Sequence, residues 1–250
     1  MNRETNTIGS KVQDIEVTRI VVDQKSYDAA KAEIDAYRAS VENEGLGTYL
    51  LIDEWKRPEP IREQLIKLHA DKKAPLEGCV LVGDIPIAMV RDAHHLSSAF
   101  KMNPNMDWQR SSIPSDRYYD DFGLTFDYIK QDSVIADYHY VSLRADGDQY
   151  IMPDIYSARI RPLKVEGMDK YQQIRDYLKK VVAEKQSQNV LDQLTMARGH
   201  GYNSEDLAAW SGEQLALREQ MHISHSSSQV NGWLSLINSQ DVSLRTGQIK

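Results

Sequence analysis

The chain has 250 residues, enough to bury a sizeable hydrophobic core as one large domain or two small ones. Hydrophobic residues make up 41% and charged residues 27%, ordinary globular usage that excludes a disordered or fibrous class. A formal net charge of -7, a pI near 5.5 and the lack of any Lys/Arg stripe argue against a nucleic-acid partner.

No apolar run reaches the roughly 18 residues of a membrane span. Met1 to Val12 is polar and carries no apolar core of a secretory signal, so the sequence reads either as a cytoplasmic protein or as a piece of a longer one. The single cysteine, Cys79, excludes an internal disulfide and a multi-cysteine metal site.

In chain order, Glu16 to Asp23 (EVTRIVVD) is β-branched and predicts a strand. Tyr27, Ala30, Ile34, Tyr37 and Val41 then recur at spacings of three and four, which puts them on one face of a helix. Gly45 and Gly47 end it, and Thr48 to Ile52 (TYLLI) is the next strand. Pro58 and Pro60 open a second helix with the stripe Ile61, Leu65, Leu68. Leu76 to Val82 (LEGCVLV) is an almost continuous apolar run, the pattern of a strand covered on both faces. Strands alternating with helices in this way predict an α/β fold, with a mainly parallel sheet flanked by helices.

Arg91 to Gly147 differs in kind, being rich in Asp, Tyr, Ser and Met, and reads as a long loop-rich insertion at one end of the sheet, with Tyr138 to Leu143 as a short strand and room for a hairpin. Regular pattern returns with a strand at Asp154 to Ile160. A helix from about Met168 to Lys185 follows, with the apolar face Tyr171, Ile174, Leu178 and Val181. Val190 to Ala197 predicts a further strand. Beyond His222 the chain turns Ser-rich and loses periodicity. The expected organisation is an α/β subdomain over residues 1–185 and an incomplete second subdomain over 186–250, with a poorly specified tail after 222.

Three stretches carry candidate chemistry. The first, EGCVLVGDIP (Glu77 to Pro86), puts Gly83 and Asp84 at the end of a parallel strand, where ligands of open α/β sheets bind. Asp84 could line such a cleft, although an Asx-type turn is the favoured reading of Gly-Asp at a strand exit. The second, IPSDRYYDD (Ile113 to Asp121), offers Asp116, Asp120 and Asp121 as oxygen ligands for Ca²⁺. Its spacing is not that of an EF-hand, which favours a solvated acidic loop over packed tyrosines. The third, MPDIYSARIRPLKVEGMDKYQQIRDYL (Met152 to Leu178), places Arg159 and Arg161 on one face of a strand. A pair with Asp116 or Asp154 is favoured there over substrate recognition.

Taken in this order and spacing, the three stretches resemble the N-terminal subdomain of the gingipain family of cysteine peptidases. In that family a strand end of the form LLVGD, a loop SDxYY and a strand PDIxxGRIP followed by a helix recur. The resemblance covers roughly residues 16 to 185, with Ala158 standing where the family has Gly. It implies a caspase-like sheet, an extracellular or periplasmic setting, and a protein or peptide substrate for the parent enzyme. No cofactor is implied as a requirement, a structural Ca²⁺ being the one ion the acidic loop could take. Asp84 and Arg159 would line the cleft.

Catalysis in that family needs a thiolate paired with an imidazole. His200, between Gly199 and Gly201, is the candidate histidine, but it falls several elements earlier than the family's. Cys79 lies inside an apolar run, the setting of an inert thiol. His94 and His95, like His222 and His225, lack the spacing of a metal site. The expectation is therefore the front part of a gingipain-like endopeptidase, inactive by itself. The alternative is a non-catalytic pseudoenzyme or extracellular interaction module on the same scaffold. A cytoplasmic flavodoxin-like binding protein is disfavoured, because Asp23-Gln24-Lys25-Ser26 stands where a Gly-rich phosphate loop would follow the first strand.

Overall fold

A computed structural model describes residues 6–9, 17–96, 107–163, 165–187, 193–197 and 244–248. The chain divides into two compact units, Met1–Ser187 and Gln188–Lys250.

The first unit is built on a five-stranded sheet. Its strands are β1 (Asn6–Gly9), β2 (Val17–Asp23), β3 (Gly47–Asp53), β4 (Leu76–Val82) and β9 (Tyr156–Ile160), in the spatial order β1-β3-β2-β4-β9. The last four are mutually parallel, and β1 runs antiparallel on β3. Two helices make the early crossovers, α1 (Gln24–Glu42) and α2 (Glu59–His69), and α4 (Lys170–Ser187) follows β9. The strand order reverses at β2, whose two neighbours are reached by chain segments leaving in opposite directions.

Alternation along the strands separates two cores. Ile20, Val22, Leu50, Ile52, Val80 and Val82 face α1 and α4 and pack on Tyr27, Ala30, Ile34, Ile174 and Leu178. Val21, Leu51, Cys79 and Leu81 face the other way, onto Ile61 and Leu65 of α2. With both faces covered the strands read as apolar runs rather than alternating ones. Each fully buried Val, Leu or Ile contributes about 1.5–3 kcal/mol relative to exposure.

The second core is closed by a feature that differs from expectation. The loop-rich insertion carries the antiparallel hairpin β7–β8, and beyond that expectation its strands join the segment just before it in a four-stranded sheet of order β6-β5-β8-β7. These strands are β5 (Ile87–Arg91), β6 (Ile113–Pro114), β7 (Phe126–Gln131) and β8 (Tyr138–Leu143), with the short helix α3 (Arg117–Asp120) between β6 and β7. Ala88, Val90, Val141 and Leu143 join the core around Cys79, while Ile87, Met89 and Tyr140 pack on the far side with Trp108 and Tyr138. Strand β7 is mostly exposed, Ile129 included, and its register shifts between Tyr128 and Lys130, so its alternation is too short to announce a strand.

Asp23 ties the first unit together at the carboxyl edge of the sheet. Its carboxylate accepts from Ser26 N (3.0 Å), capping α1, and from Asp84 N (2.8 Å), fixing the exit from β4. A cap thus occupies the place where a nucleotide-binding fold would keep a phosphate loop. Helix α1 breaks its helical geometry at Ala30, and the carbonyl of Ala29 accepts from Arg175 Nη1 of α4 at 3.0 Å, which joins the two helices at the kink.

In the second unit, β10 (Gln193–Ala197) pairs antiparallel with β11 (Leu244–Gln248). The tail beyond His222, read as poorly specified, therefore contributes a strand. Among the described residues no helix is long and apolar enough to cross a membrane.

Gly83 has φ +85°, and a Cβ there would come within 2.0 Å of Asp23 Oδ2 and 2.3 Å of Ser26 Oγ. Gly83→Ala is expected to lower the unfolding free energy by about 2 kcal/mol or more, combining left-handed strain with the clash against the cap. A urea midpoint matching that of the parent protein would contradict this account of the strand exit.

Candidate functional site

The crevice beyond the carboxyl ends of β4 and β9 encloses about 650 Å³ and is lined by Asp84, Asp137, Arg161, Glu166, Asp169 and Lys170, with Leu163, Val165 and Met168 supplying apolar wall. Open α/β sheets place ligands at this edge. Asp84 lines the crevice, and its carboxylate is held by Lys170 at the start of α4. The Asx-turn role expected for it is filled by Asp23, which accepts the Asp84 N–H. Arg161 pairs with Asp137 at 2.7 Å. Both pairs are partly exposed, so they order the rim without adding much stability.

Arg159 is the junction of the site. Its guanidinium is bidentate on Asp116, at 2.8 to 3.2 Å, and donates to the carbonyls of Ile85 (2.8 Å) and Pro86 (3.2 Å). The pair with Asp116 expected from the sequence is formed. Tyr119, fully buried, adds a hydroxyl bond to Pro86 O at 2.8 Å. Ala158 lies in regular strand opposite Val80, and among the described non-glycine residues the one with positive φ is Asp92.

The carboxylates of the acidic loop are held by guanidinium, hydroxyl and backbone N–H donors. Asp116 faces Arg159. Asp120 is fully buried; one carboxylate oxygen takes Ser157 Oγ and Arg117 Nη2 (2.8 Å), while Oδ1 has no hydrogen-bond partner. Burial pushes the Asp120 carboxyl above its ordinary range. Asp121 accepts backbone N–H groups from Leu124 (3.4 Å) and Met152 (2.7 Å). The three candidate Ca²⁺ ligands thus direct their oxygens to separate sets of partners, with Asp120 Oδ1 left over. Among the described residues no group of three or more His, Cys, Asp or Glu side chains is arranged to hold a metal.

The carbonyls of this loop are gathered by Arg62 of α2, which donates to Tyr118 O, Asp121 O (3.0 Å), Phe122 O (3.4 Å) and Leu124 O (2.6 Å). It lies within 6 Å of the Tyr118, Phe122 and Phe126 ring centres. The sequence reading passed over this residue. Its signal was an arginine beside Ile61 and three positions before Leu65, on the flank of the buried stripe.

Cys79 is fully buried, between Arg19 of β2 and Ser157 of β9. Burial pushes its thiol up to about 12, so the thiolate is negligible at neutral pH. His95 Nε2 lies 3.0 Å from Gln149 Oε1. His200, His222 and His225 lie outside the described residues. His139 of β8, which the sequence did not single out, is buried, with Nδ1 3.3 Å from the Tyr128 hydroxyl. Comparison with protein-family models, with curated proteins and with solved structures returns no match.

Two measurements test this geometry. Arg62→Met strips four carbonyls of their donor, and a loss of about 3 kcal/mol or more in unfolding free energy is expected; a loss within experimental error would show that the carbonyls find other donors. Burial lowers the pKa of His139 below its ordinary 6.5, with Glu59 and Asp137 opposing and Arg57 reinforcing that shift. Above pH 6.5 the ring is neutral in both states. As pH falls through 6.5 the unfolded chain takes up a proton that the folded chain refuses, so stability drops. His139→Gln should flatten that part of the profile between pH 7 and 5.5, and identical slopes for the two proteins would rule His139 out as its source.

Proposed function

We propose that this chain is the front part of a gingipain-like cysteine endopeptidase and that, by itself, it cleaves no peptide bond. What supports the resemblance is convergence in space. The three stretches that carry it are separated by tens of residues, yet Arg159 of the third binds Asp116 of the second and the carbonyls of Ile85 and Pro86 in the first. A strand end, an acidic tyrosine-rich loop and a neighbouring strand thereby form one wall at the carboxyl edge of a parallel sheet, beside the crevice of Asp84 and Lys170. On this reading the crevice flanks substrate, and the parent enzyme works on protein or peptide substrates outside the cell or in the periplasm.

The absence of turnover follows from Cys79. A nucleophile needs thiolate character, an imidazole within reach and access to substrate. The only cysteine of the chain is buried, its thiol is pushed up to about 12, and its cross-strand neighbours are Arg19 and Ser157. The same burial suits the second reading, a non-catalytic pseudoenzyme or interaction module on this scaffold, which differs in what the rest of the protein does rather than in this wall.

The purified chain is expected to leave Arg-, Lys- and other peptide reporter substrates uncleaved, in the presence or absence of reductant. Thiol-dependent turnover that disappears in Cys79→Ala would overturn the reading and make Cys79 the nucleophile.

A further inference from the structure

The connection from β9 to α4 is pinned at both ends and apolar in between. Gln173 Nε2 donates to Leu163 O at 3.0 Å, and the Asp169 carboxylate caps α4 by accepting from Tyr171 N (3.2 Å) and Gln172 N (3.0 Å). Two tight turns shape the backbone between these points, closed by Val165 N to Leu163 O (3.1 Å) and Met168 N to Val165 O (3.2 Å). Gly167, with φ +77°, stands at the third position of the second turn, the place that takes a positive φ in a type II turn. Leu163, Val165 and Met168 are nevertheless 73%, 44% and 56% exposed, and all three line the crevice beyond β4 and β9. Large apolar side chains held at a concave site by polar bonds of their own backbone mark a surface that binding covers.

The charged groups of the crevice, in contrast, are engaged with one another. Asp84 holds Lys170, Asp137 holds Arg161 at 2.7 Å, and Asp169, besides capping α4, faces Arg175 at 3.4 Å. Glu166 is the lining charge outside these pairs, and it is exposed to water. A charged group entering the crevice would give up hydration or displace a partner already in place, and a solvated carboxylate at the rim repays little of that cost. An uncharged aliphatic group meets no such cost and takes the three exposed side chains out of water. The volume of about 650 Å³ leaves room for it.

We propose that the crevice is a subsite for an uncharged aliphatic side chain of an extended polypeptide, read by Leu163, Val165 and Met168. This rests on the crevice being a flank for peptide substrate, and it names the side chain that the flank takes. The two ion pairs hold the walls, and the connection from β9 to α4 supplies the selectivity. A Lys side chain is disfavoured here, because its stem meets the apolar wall while its ammonium finds every buried or half-buried carboxylate of the lining already paired.

The probes are acetyl-Ala-Xaa-Ala-amide peptides in which Xaa is norleucine, Lys or Ala. Norleucine and Lys share an unbranched four-carbon stem and differ at its end. Each peptide is titrated into the full chain carrying carbon-13 methyl labels on Leu, Val and Met, and methyl shifts are followed by NMR. The norleucine peptide is expected to move the methyls of Leu163, Val165 and Met168 and to bind about tenfold tighter than either of the others. Leu163→Ser and Met168→Ser, both at exposed positions, should erase that preference, while Val134→Ser, 84% exposed and outside the crevice lining, should keep it. The comparison of peptides on the parent protein decides the matter even if a variant fails to fold. Lys binding as tightly as norleucine, or norleucine no tighter than Ala, would overturn the inference and leave the peptide reading standing. Norleucine binding that leaves the three methyls unmoved would also overturn it, by placing the aliphatic site elsewhere. Failure of all three peptides to bind would remove both the inference and the crevice's role as a peptide flank. Methyl shifts that grow with protein concentration and no peptide present would make the occupant a second copy and overturn the inference as well.

Discussion

A buried turn must find donors for its carbonyl oxygens, and in this protein one guanidinium supplies them. Arg62 reaches from α2 to four carbonyls between Tyr118 and Leu124, a stretch with too little helix to satisfy its own backbone. Because α2 is already fixed against β4 by Ile61 and Leu65, the donors arrive in a rigid frame. The loop is thereby held over the second core, and its two tyrosines are driven inward, Tyr119 completely. From there Asp116 and Asp120 can reach β9, through Arg159 and Ser157. The inserted sheet, the acidic loop and the last parallel strand depend in turn on that single side chain. A hard cation could gather carbonyls in the same manner, but a guanidinium does so with fixed planar geometry and no ion to lose.

The two faces of the main sheet have diverged in consequence. On the face of α1 and α4 the covering is helical and its packing is mostly aliphatic, with Arg175 closing the one break in α1. On the other face the covering is assembled from α2, α3 and part of a second sheet, and it encloses several polar groups, among them Asp120 and Arg19. Arg19 is 6% exposed and stacks on Tyr49 at 3.8 Å, yet two of its nitrogens have no hydrogen-bond partner, and burial lowers its pKa to about 10. The polar groups of this face are specific to its shape, while the aliphatic face would tolerate repacking more readily.

What could be read from the sequence was what is local. The five apolar positions of α1 are all buried as their spacing required, and LEGCVLV matches β4 residue for residue, because periods of 3.6 and 2 are written within a dozen positions. The second sheet escaped because the alternation of β7 is interrupted by a register shift and β6 is two residues long. At the candidate site the Arg159–Asp116 pair could be anticipated from strand alternation and charge, although the partners are 43 positions apart. The contacts of Arg62 could not, since they span 56 to 62 positions and end on backbone atoms, which carry no residue signature. Asp84 was rightly placed at the strand exit, but which carboxylate would cap the turn depended on Asp23, 61 residues earlier.

Cys79 has a consequence beyond chemistry. It is the only thiol of the chain, it sits without exposure in the middle of the sheet, and its volume is part of a close-packed core. A cysteine placed by mutation at any exposed position of the first unit would therefore be the single site open to a maleimide, with no need to remove the native residue and risk a cavity. Paired dyes or spin labels could be set on α1 and on the inserted sheet in the natural background, making the protein a ready ruler for how the two coverings of its sheet move.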